Sequence, residues 1–378
     1  MSEALRIVVA GGGTGGHVYP GIAVVERLET LVETHALFVG TRGGVEEKIL
    51  ARAGRDYQSL PGYGLRRASA ARKLAAPVVL LSGVARARSI LSAFRPDVVL
   101  GTGGYASAAV VVASLVQRTP RVLQEQNSVP GLVNRKLARY ANLMLLGYDE
   151  SRAWLPAGVP ALVVGNPLRR MPSPSRAQAA AFFQLDPATP TVLVVGGSRG
   201  AHSLNLAGAD TAAQLAASRG VQFIVLCGAA DRAEVERRTQ AVSSRVRVLD
   251  YLDEMHFAYA ASDVAIARSG ASSVFELALF GVPAIFVPYP YAADDHQERN
   301  AAPLVKAGAA VLVRDAELSA ARLVTELDGA FSSTERRRAM SEAMRAWSKP
   351  DAAERAAEAV VALAKKKERG MKGQKLAA

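Results

Sequence analysis

Short apolar runs recur along this chain, each closing on glycine or polar residues and followed by a longer mixed stretch. The first is 5–10 (LRIVVA), ended by Gly11-Gly12-Gly13-Thr14-Gly15-Gly16-His17. Runs of this length, rich in Val and Ile and without polar alternation, predict strands covered on both faces, as in a parallel sheet. A helix is expected near Pro20–Leu31, with Pro20 in its first turn, where a missing N–H does no harm. The same grammar returns at 97–107 (DVVLGTGGYAS), 121–131 (RVLQEQNSVPG), 143–148 (LMLLGY) and 162–170 (LVVGNPLRR). Beyond a stretch stiffened by Pro167, Pro172 and Pro174 it restarts at 191–205 (TVLVVGGSRGAHSLN). VQFIVLC, VRVLDY, DVAIAR, VPAIFVP and AAVLVR supply the remaining strands of that half. The alternation predicts an α/β chain of two Rossmann-like domains. We place the first at 1–166 and the second at 167–344. A charged, amphipathic helix near 345–364 is expected to pack back on the first domain. The basic tail 365–378 is expected to be disordered.

Composition narrows the choice of partner. The chain has 378 residues, 50% hydrophobic, enough for two cores. Its net charge of +12 implies an anionic partner: nucleic acid, anionic lipid or a phosphorylated substrate. Aromatic residues are only 6%, with no zinc-ligand spacing or RNA-binding aromatic motif, which argues against nucleic acid. The single Cys227 ends an apolar run and is expected to be buried in a reducing compartment. No secretory signal is read at the start. The longest uncharged apolar runs, Leu74–Ala85 and Tyr105–Val116, fall well short of the ~20 residues a spanning helix needs. A soluble or peripheral protein is expected.

Candidate chemistry lies where the runs end. A strand, a glycine loop and a helix form the usual meeting point of an α/β sheet with a phosphate. The first such loop fits neither the Walker pattern nor a dinucleotide fingerprint. The acid expected at the end of the next strand is missing, since that strand ends Phe38-Val39-Gly40-Thr41. His17 has two readings: a general base near neutral pH, or a residue that hydrogen-bonds at a helix start. Glu125 likewise reads as a catalytic carboxylate, an orienter of one, or a partner of Arg135 or Lys136. In the second half, Arg268–Asn300 predicts a strand, a Ser269-Gly270 turn, a helix from Ser272 to Phe280 capped by Gly281, and a strand at 283–288. The helix start suits phosphate oxygens, Glu276 suits ribose hydroxyls, and Gln297 suits a sugar hydroxyl. An ordinary αβ crossover is the alternative. Residues 62–96 carry Arg66, Arg67, Arg72, Lys73, Arg86, Arg88 and Arg95 around apolar Leu74 and Val78–Leu81, with no acid. That stretch is a candidate for docking on anionic lipid headgroups, or a solvated helix face.

The ordered set GGGTGGHVYPGIAV, GTGGYAS, QEQNSVPGLVNR, GNPLR, GGSRGAHSLN, RSGASSVFE and DDHQERNA resembles the MurG family of bacterial cell-wall N-acetylglucosaminyltransferases. The resemblance runs from about Ile7 to Ala310. It implies a GT-B fold, two Rossmann-like domains facing a central cleft. It implies inverting transfer of GlcNAc from UDP-GlcNAc to the 4-hydroxyl of MurNAc in undecaprenyl-pyrophosphoryl-MurNAc-pentapeptide (lipid I), giving lipid II for peptidoglycan. By resemblance, Thr14, Gly15, Gly16, Asn127, Arg169, Ser198, Leu252, Ala271, Ser273, Glu276 and Gln297 fall at donor-contacting positions. Gly103, Gly104, Tyr105 and Asn127 fall at acceptor positions, and His17, then Glu125, are the candidate bases. No metal and no cofactor is implied. The implied setting is peripheral, on the cytoplasmic face of the cell membrane, with an anionic lipid surface and other cell-wall synthesis proteins as partners. The family often has His where this chain has Gln124, so a role for that histidine is absent here. Alternatives are another UDP-sugar enzyme of the same plan (a UDP-GlcNAc 2-epimerase or glycolipid glycosyltransferase) and a non-catalytic anionic-lipid binder.

Overall fold

The computed structural model describes residues 4–62, 70–197 and 201–376, with all side chains in them but those of 70–77 and 367–376. The chain forms two compact units, 1–169 with 349–378, and 170–348. In the first, the elements run β1 (Leu5–Gly11), α1 (Gly15–Leu31), β2 (Thr34–Thr41), α2 (Val45–Arg52), β3 (Tyr57–Leu60), α3 (Ala70–Phe94), β4 (Val98–Gly103), α4 (Gly104–Val116), β5 (Arg121–Glu125), α5 (Leu132–Leu137), β6 (Leu143–Leu146) and β7 (Ala161–Val163). All seven strands are parallel, in the order β3-β2-β1-β4-β5-β6-β7. Strand periodicity divides β1 between two cores. Ile7 and Val9 pack with Ile22, Val25 and Leu28 of α1, while Val8 and Ala10 pack with Leu91 of α3 and Val110 of α4.

The second unit runs α6 (Arg176–Phe182), β8 (Thr191–Val195), α7 (His202–Arg219), β9 (Gln222–Leu226), α8 (Arg232–Thr239), β10 (Val246–Leu249), α9 (Met255–Ala261), β11 (Val264–Ala267), α10 (Ala271–Phe280), β12 (Ala284–Phe286), α11 (His296–Lys306), β13 (Ala310–Leu312), α12 (Ala320–Phe331) and α13 (Thr334–Trp347). Its six parallel strands order as β10-β9-β8-β11-β12-β13. In each sheet the first strand lies between its successor and a later strand, so the winding reverses there. The carboxyl ends at such a reversal form the crevice where open α/β sheets take ligands. In the first unit the β1–α1 and β4–α4 turns flank it. In the second, the carboxyl end of β8 and the β11–α10 turn do.

After α13 the chain returns to the first unit as α14 (Ala352–Leu376). Ala356, Ala357 and Val360 are fully buried against α1 and the sheet. The helical backbone continues to Leu376, through most of the stretch expected to be disordered. Lys, Glu, Met and Gln dominate it, and these favour helix even where there is little to bury. The first helix also departs from expectation. It begins at Gly15, not near Pro20, so Pro20 sits inside it and removes the N–H that would bond the Gly16 carbonyl. Thr14 is its N-cap, and His17 lies in its first turn. Among the described residues no helix is long and apolar enough to cross a membrane.

Candidate active site

His17 is held by backbone. Its Nδ1 lies 2.8 Å from the Gly12 carbonyl oxygen. A carbonyl only accepts, so Nδ1 carries a proton, and of the two neutral tautomers this bond selects the one whose lone pair is at Nε2. The ring lies against the β4–α4 turn. A Cβ on Gly103 would stand 3.1 Å from His17 Nε2, and one on Gly104 would stand 2.6 Å from the Gly12 oxygen. Both glycines also adopt left-handed φ, +109° and +81°. Their immediate service in this unit is to let the histidine and its partner approach. Tyr105 follows them, and its hydroxyl reaches backward, 2.6 Å from the Val79 oxygen and 2.9 Å from that of Pro61. It ties α3 and the preceding loop to α4.

The glycine loop contains a carboxylate that sequence reasoning did not find. Glu46, from the first turn of α2, is fully buried. Its Oε1 accepts from the Thr41 N–H at 2.7 Å and the Thr41 hydroxyl at 2.5 Å, and its Oε2 accepts from the Gly13 N–H at 3.1 Å. It thus fills, from the next helix, the region where an acid at the end of β2 was missed. Tyr57 donates to the Thr41 oxygen at 2.9 Å, and its hydroxyl is held well above its ordinary pKa by burial and by the charge of Glu46. Thr14 is exposed, and its side chain makes no capping hydrogen bond. With Gly15 and Gly16 it opens the N-terminus of a 17-residue helix.

Glu125, at the end of β5, is buried and engaged from several sides. Asn127 N and Nδ2 donate to one oxygen at 3.0 and 3.2 Å, while Gly131 N and Asn134 Nδ2 donate to the other at 2.9 and 2.8 Å. These partners replace the Arg135 or Lys136 considered from sequence, and they make the carboxylate the organiser of the 125–134 loop. Asn127 is consequently fixed, its side chain directed at Glu125. Gln124 is buried on the same strand, with neither side-chain polar atom hydrogen-bonded. Arg169 is exposed and lies 3.4 Å from Glu26 of α1.

In the second unit the β11–α10 turn behaves as expected. Gly270 is the N-cap of α10, Ala271 is its first residue, and its first turn carries no acid and no side-chain cap. The first-turn N–H groups, Ser273 among them, therefore give this helix end a positive polarity that suits an anion. Gly281 closes the helix in the left-handed conformation. Glu276 accepts the Tyr259 hydroxyl at 2.6 Å. Burial raises its carboxyl from the ordinary 4.5 to about 7, with the Tyr259 hydrogen bond opposing. Gln297 Oε1 accepts the Tyr289 N–H at 2.9 Å, which leaves its amide N–H groups for donation. Leu252 is partly buried, three residues beyond β10. Ser198 lies outside the described residues.

Two further side chains brace this edge without having been predicted. Arg268, nearly buried, pairs with Asp315 at 2.6 Å and donates to the carbonyls of Val287 and Pro288 and to Ser203 Oγ. Asn300 Nδ2 donates to the Ser269 oxygen at 3.1 Å, coupling α11 to the turn. A charged residue ending an otherwise apolar strand was the available signal for Arg268.

Comparison with known proteins agrees in both halves. Residues 7–146 match the glycosyltransferase family 28 N-terminal domain, and 191–356 match the family's C-terminal domain. The UDP-N-acetylglucosamine--N-acetylmuramyl-(pentapeptide) pyrophosphoryl-undecaprenol N-acetylglucosamine transferase of Chlorobaculum tepidum is 38% identical over 96% of this chain and 100% of its own length. The enzyme of the same name from Lactiplantibacillus plantarum is 36% identical over 93% of this chain and 97% of its own. The crystal structure of Acinetobacter baumannii MurG superposes with a TM-score of 0.74 at 25% identity, covering 94% of this chain and 99% of that one. The two parallel-sheet units are those of a GT-B glycosyltransferase. The chain belongs to glycosyltransferase family 28 and, within it, to the MurG family of N-acetylglucosamine transferases.

Proposed function

We propose that this chain transfers GlcNAc from UDP-GlcNAc to the 4-hydroxyl of MurNAc in lipid I, with inversion, to give lipid II. What carries the reading is likeness to enzymes of that name along nearly the whole chain, in both units. The acceptor oxygen attacks the anomeric carbon of the α-linked donor, and UDP leaves from the opposite face. A single displacement of this kind yields the β-1,4 linkage and requires a base, stabilisation of the leaving diphosphate, and placement of both sugars.

His17 is the base in this scheme, its Nε2 taking the hydroxyl proton while Nδ1 stays bonded to Gly12. Glu125 acts as the orienter of its loop, because four N–H groups already converge on its oxygens. The start of α10 receives the diphosphate, and Glu276 the ribose. Gln297 donates to a GlcNAc hydroxyl. Thr14, Gly15, Gly16, Asn127, Arg169, Leu252, Ala271 and Ser273 complete donor recognition, and Gly103, Gly104 and Tyr105 shape the acceptor side.

The protein works at the cytoplasmic face of the membrane in this reading. Val78 and Leu81 of α3 are 70% and 69% exposed and lie one turn apart, followed by exposed Arg86 and Arg88. An apolar ridge beside arginines suits insertion among anionic headgroups. Residues 63–69 of the basic stretch lie outside the described residues.

The test is UDP release from UDP-GlcNAc with and without a lipid I analogue. Release that depends on the acceptor and yields a disaccharide supports the reading. UDP-GlcNAc turnover without acceptor would replace it with an epimerase or hydrolase. His17→Ala is expected to lower kcat by about 10²–10⁴-fold, the usual share of general-base catalysis, while UDP-GlcNAc affinity is retained. Near-normal turnover would remove His17 as base.

A further inference from the structure

The Gly13 N–H and the Gly12 carbonyl belong to one peptide unit. In a trans peptide these two groups point to opposite sides, and no cis bond occurs among the described residues. Glu46 Oε2 accepts from the N–H at 3.1 Å, and His17 Nδ1 donates to the carbonyl at 2.8 Å. One peptide plane is therefore gripped from both ends, by a buried carboxylate and by an imidazole. Accepting the N–H also draws electron density toward the carbonyl oxygen, strengthening the bond it takes from Nδ1.

The surroundings are built for this carboxylate. A Cβ at Gly12, at Gly40 or at Gly44 would collide with the Glu46 side chain, so three segments of the chain leave it room. Its other oxygen is fixed by Thr41 through both backbone and hydroxyl. An N–H occupied by Glu46 is also withdrawn from any bound phosphate. This one N–H of the glycine loop is thus employed within the fold.

Resting on the reading of His17 as base, we propose that Glu46 is a positioning residue for His17, acting through the Gly12–Gly13 peptide. The arrangement has the logic of an aspartate behind a catalytic histidine, with a peptide group interposed. Glu46 sets the orientation of the Gly12 carbonyl, the carbonyl selects the Nδ1–H tautomer, and the tautomer leaves Nε2 open toward the substrate hydroxyl.

Histidine-selective 15N NMR on the full chain tests this, with kinetics run in parallel. The chain has five histidines, and His17→Gln identifies the relevant signals. Wild type is expected to show His17 as the Nδ1–H tautomer, and an Nε2–H tautomer there would overturn the proposal outright. Glu46→Gln is expected to give mixed tautomers and to lower kcat at least ~10-fold, with the KM of both substrates within about twofold. That size follows from losing part of a base's contribution. Glu46→Asp keeps the charge but falls one methylene short of Gly13, so it should shift the same signals, and it decides alone if Glu46→Gln does not fold. Wild-type His17 signals in a folded Glu46 variant overturn the relay, whatever the activity. Altered His17 signals with unchanged turnover support the relay and remove His17 as base, so the two ideas fail separately.

Discussion

As the proposed ribose acceptor, Glu276 should link ligand binding to pH. Its carboxyl is raised from 4.5 to about 7 by burial. The folded protein therefore holds a proton there that the unfolded chain has released. Its contribution to stability is whole below the unfolded value and is lost as pH rises through about 7. In the proposed contact a ribose hydroxyl would donate to the ionised form, so donor binding should favour the deprotonated state. The diphosphate of UDP-GlcNAc is a diester and does not titrate in this range. UDP-GlcNAc is expected to bind more tightly at about pH 8 than at about pH 6, and Glu276→Gln should both weaken binding and flatten that dependence. Calorimetric titration at the two pH values decides it. A pH-independent affinity in wild type would take Glu276 away from the ribose. At this scale the sequence was legible where a residue acts through its neighbours, as at Gly270 and Gly281. It was opaque where the partner is remote. Glu46 lies 33 residues from Gly13, and only the fold brings them together. Glycines 12, 40 and 44 were its trace, readable once the carboxylate between them is seen.

Elements carry the surface and the order of the fold. Leu81→Asp with Val78→Asp places two charges on an exposed ridge that contributes nothing to the described core. The double variant should keep its thermal stability and its turnover of a short-chain, detergent-soluble acceptor, and should lose sedimentation with vesicles of anionic lipid. Unchanged sedimentation would assign docking to another surface. The helical and strand order of both halves followed from runs of Val, Ile and Leu between glycine loops, because buried parallel strands leave that signature. Boundaries were less readable. Pro20 suggested a helix start, yet α1 begins five residues earlier, since tertiary packing of Val18 and Ile22 compensates one lost hydrogen bond. Tyr105 was read only through its place beside the acceptor glycines, whereas the tie its hydroxyl makes to the carbonyls of Pro61 and Val79 is visible only in the fold.

At the scale of the whole molecule, the first unit is discontinuous in sequence. Its core includes Ala356, Ala357 and Val360, supplied after the entire second unit has been traversed. Deleting 349–378 is expected to speed amide exchange in β1, β4 and α1, while β8, β9 and β11 keep their protection. Exchange spread equally over both units would contradict this division of the chain.

That return of the chain bears on how the protein is made. Even the last strand of the first sheet leaves the ribosome roughly 190 positions before the helix that seals it. At about 5–20 residues per second the interval is roughly ten to forty seconds. Within it, the second unit emerges complete, every strand and covering helix contiguous in sequence. The C-terminal unit needs nothing from outside its own continuous stretch to close, whereas the N-terminal unit cannot complete its α1 face until 352–364 has followed.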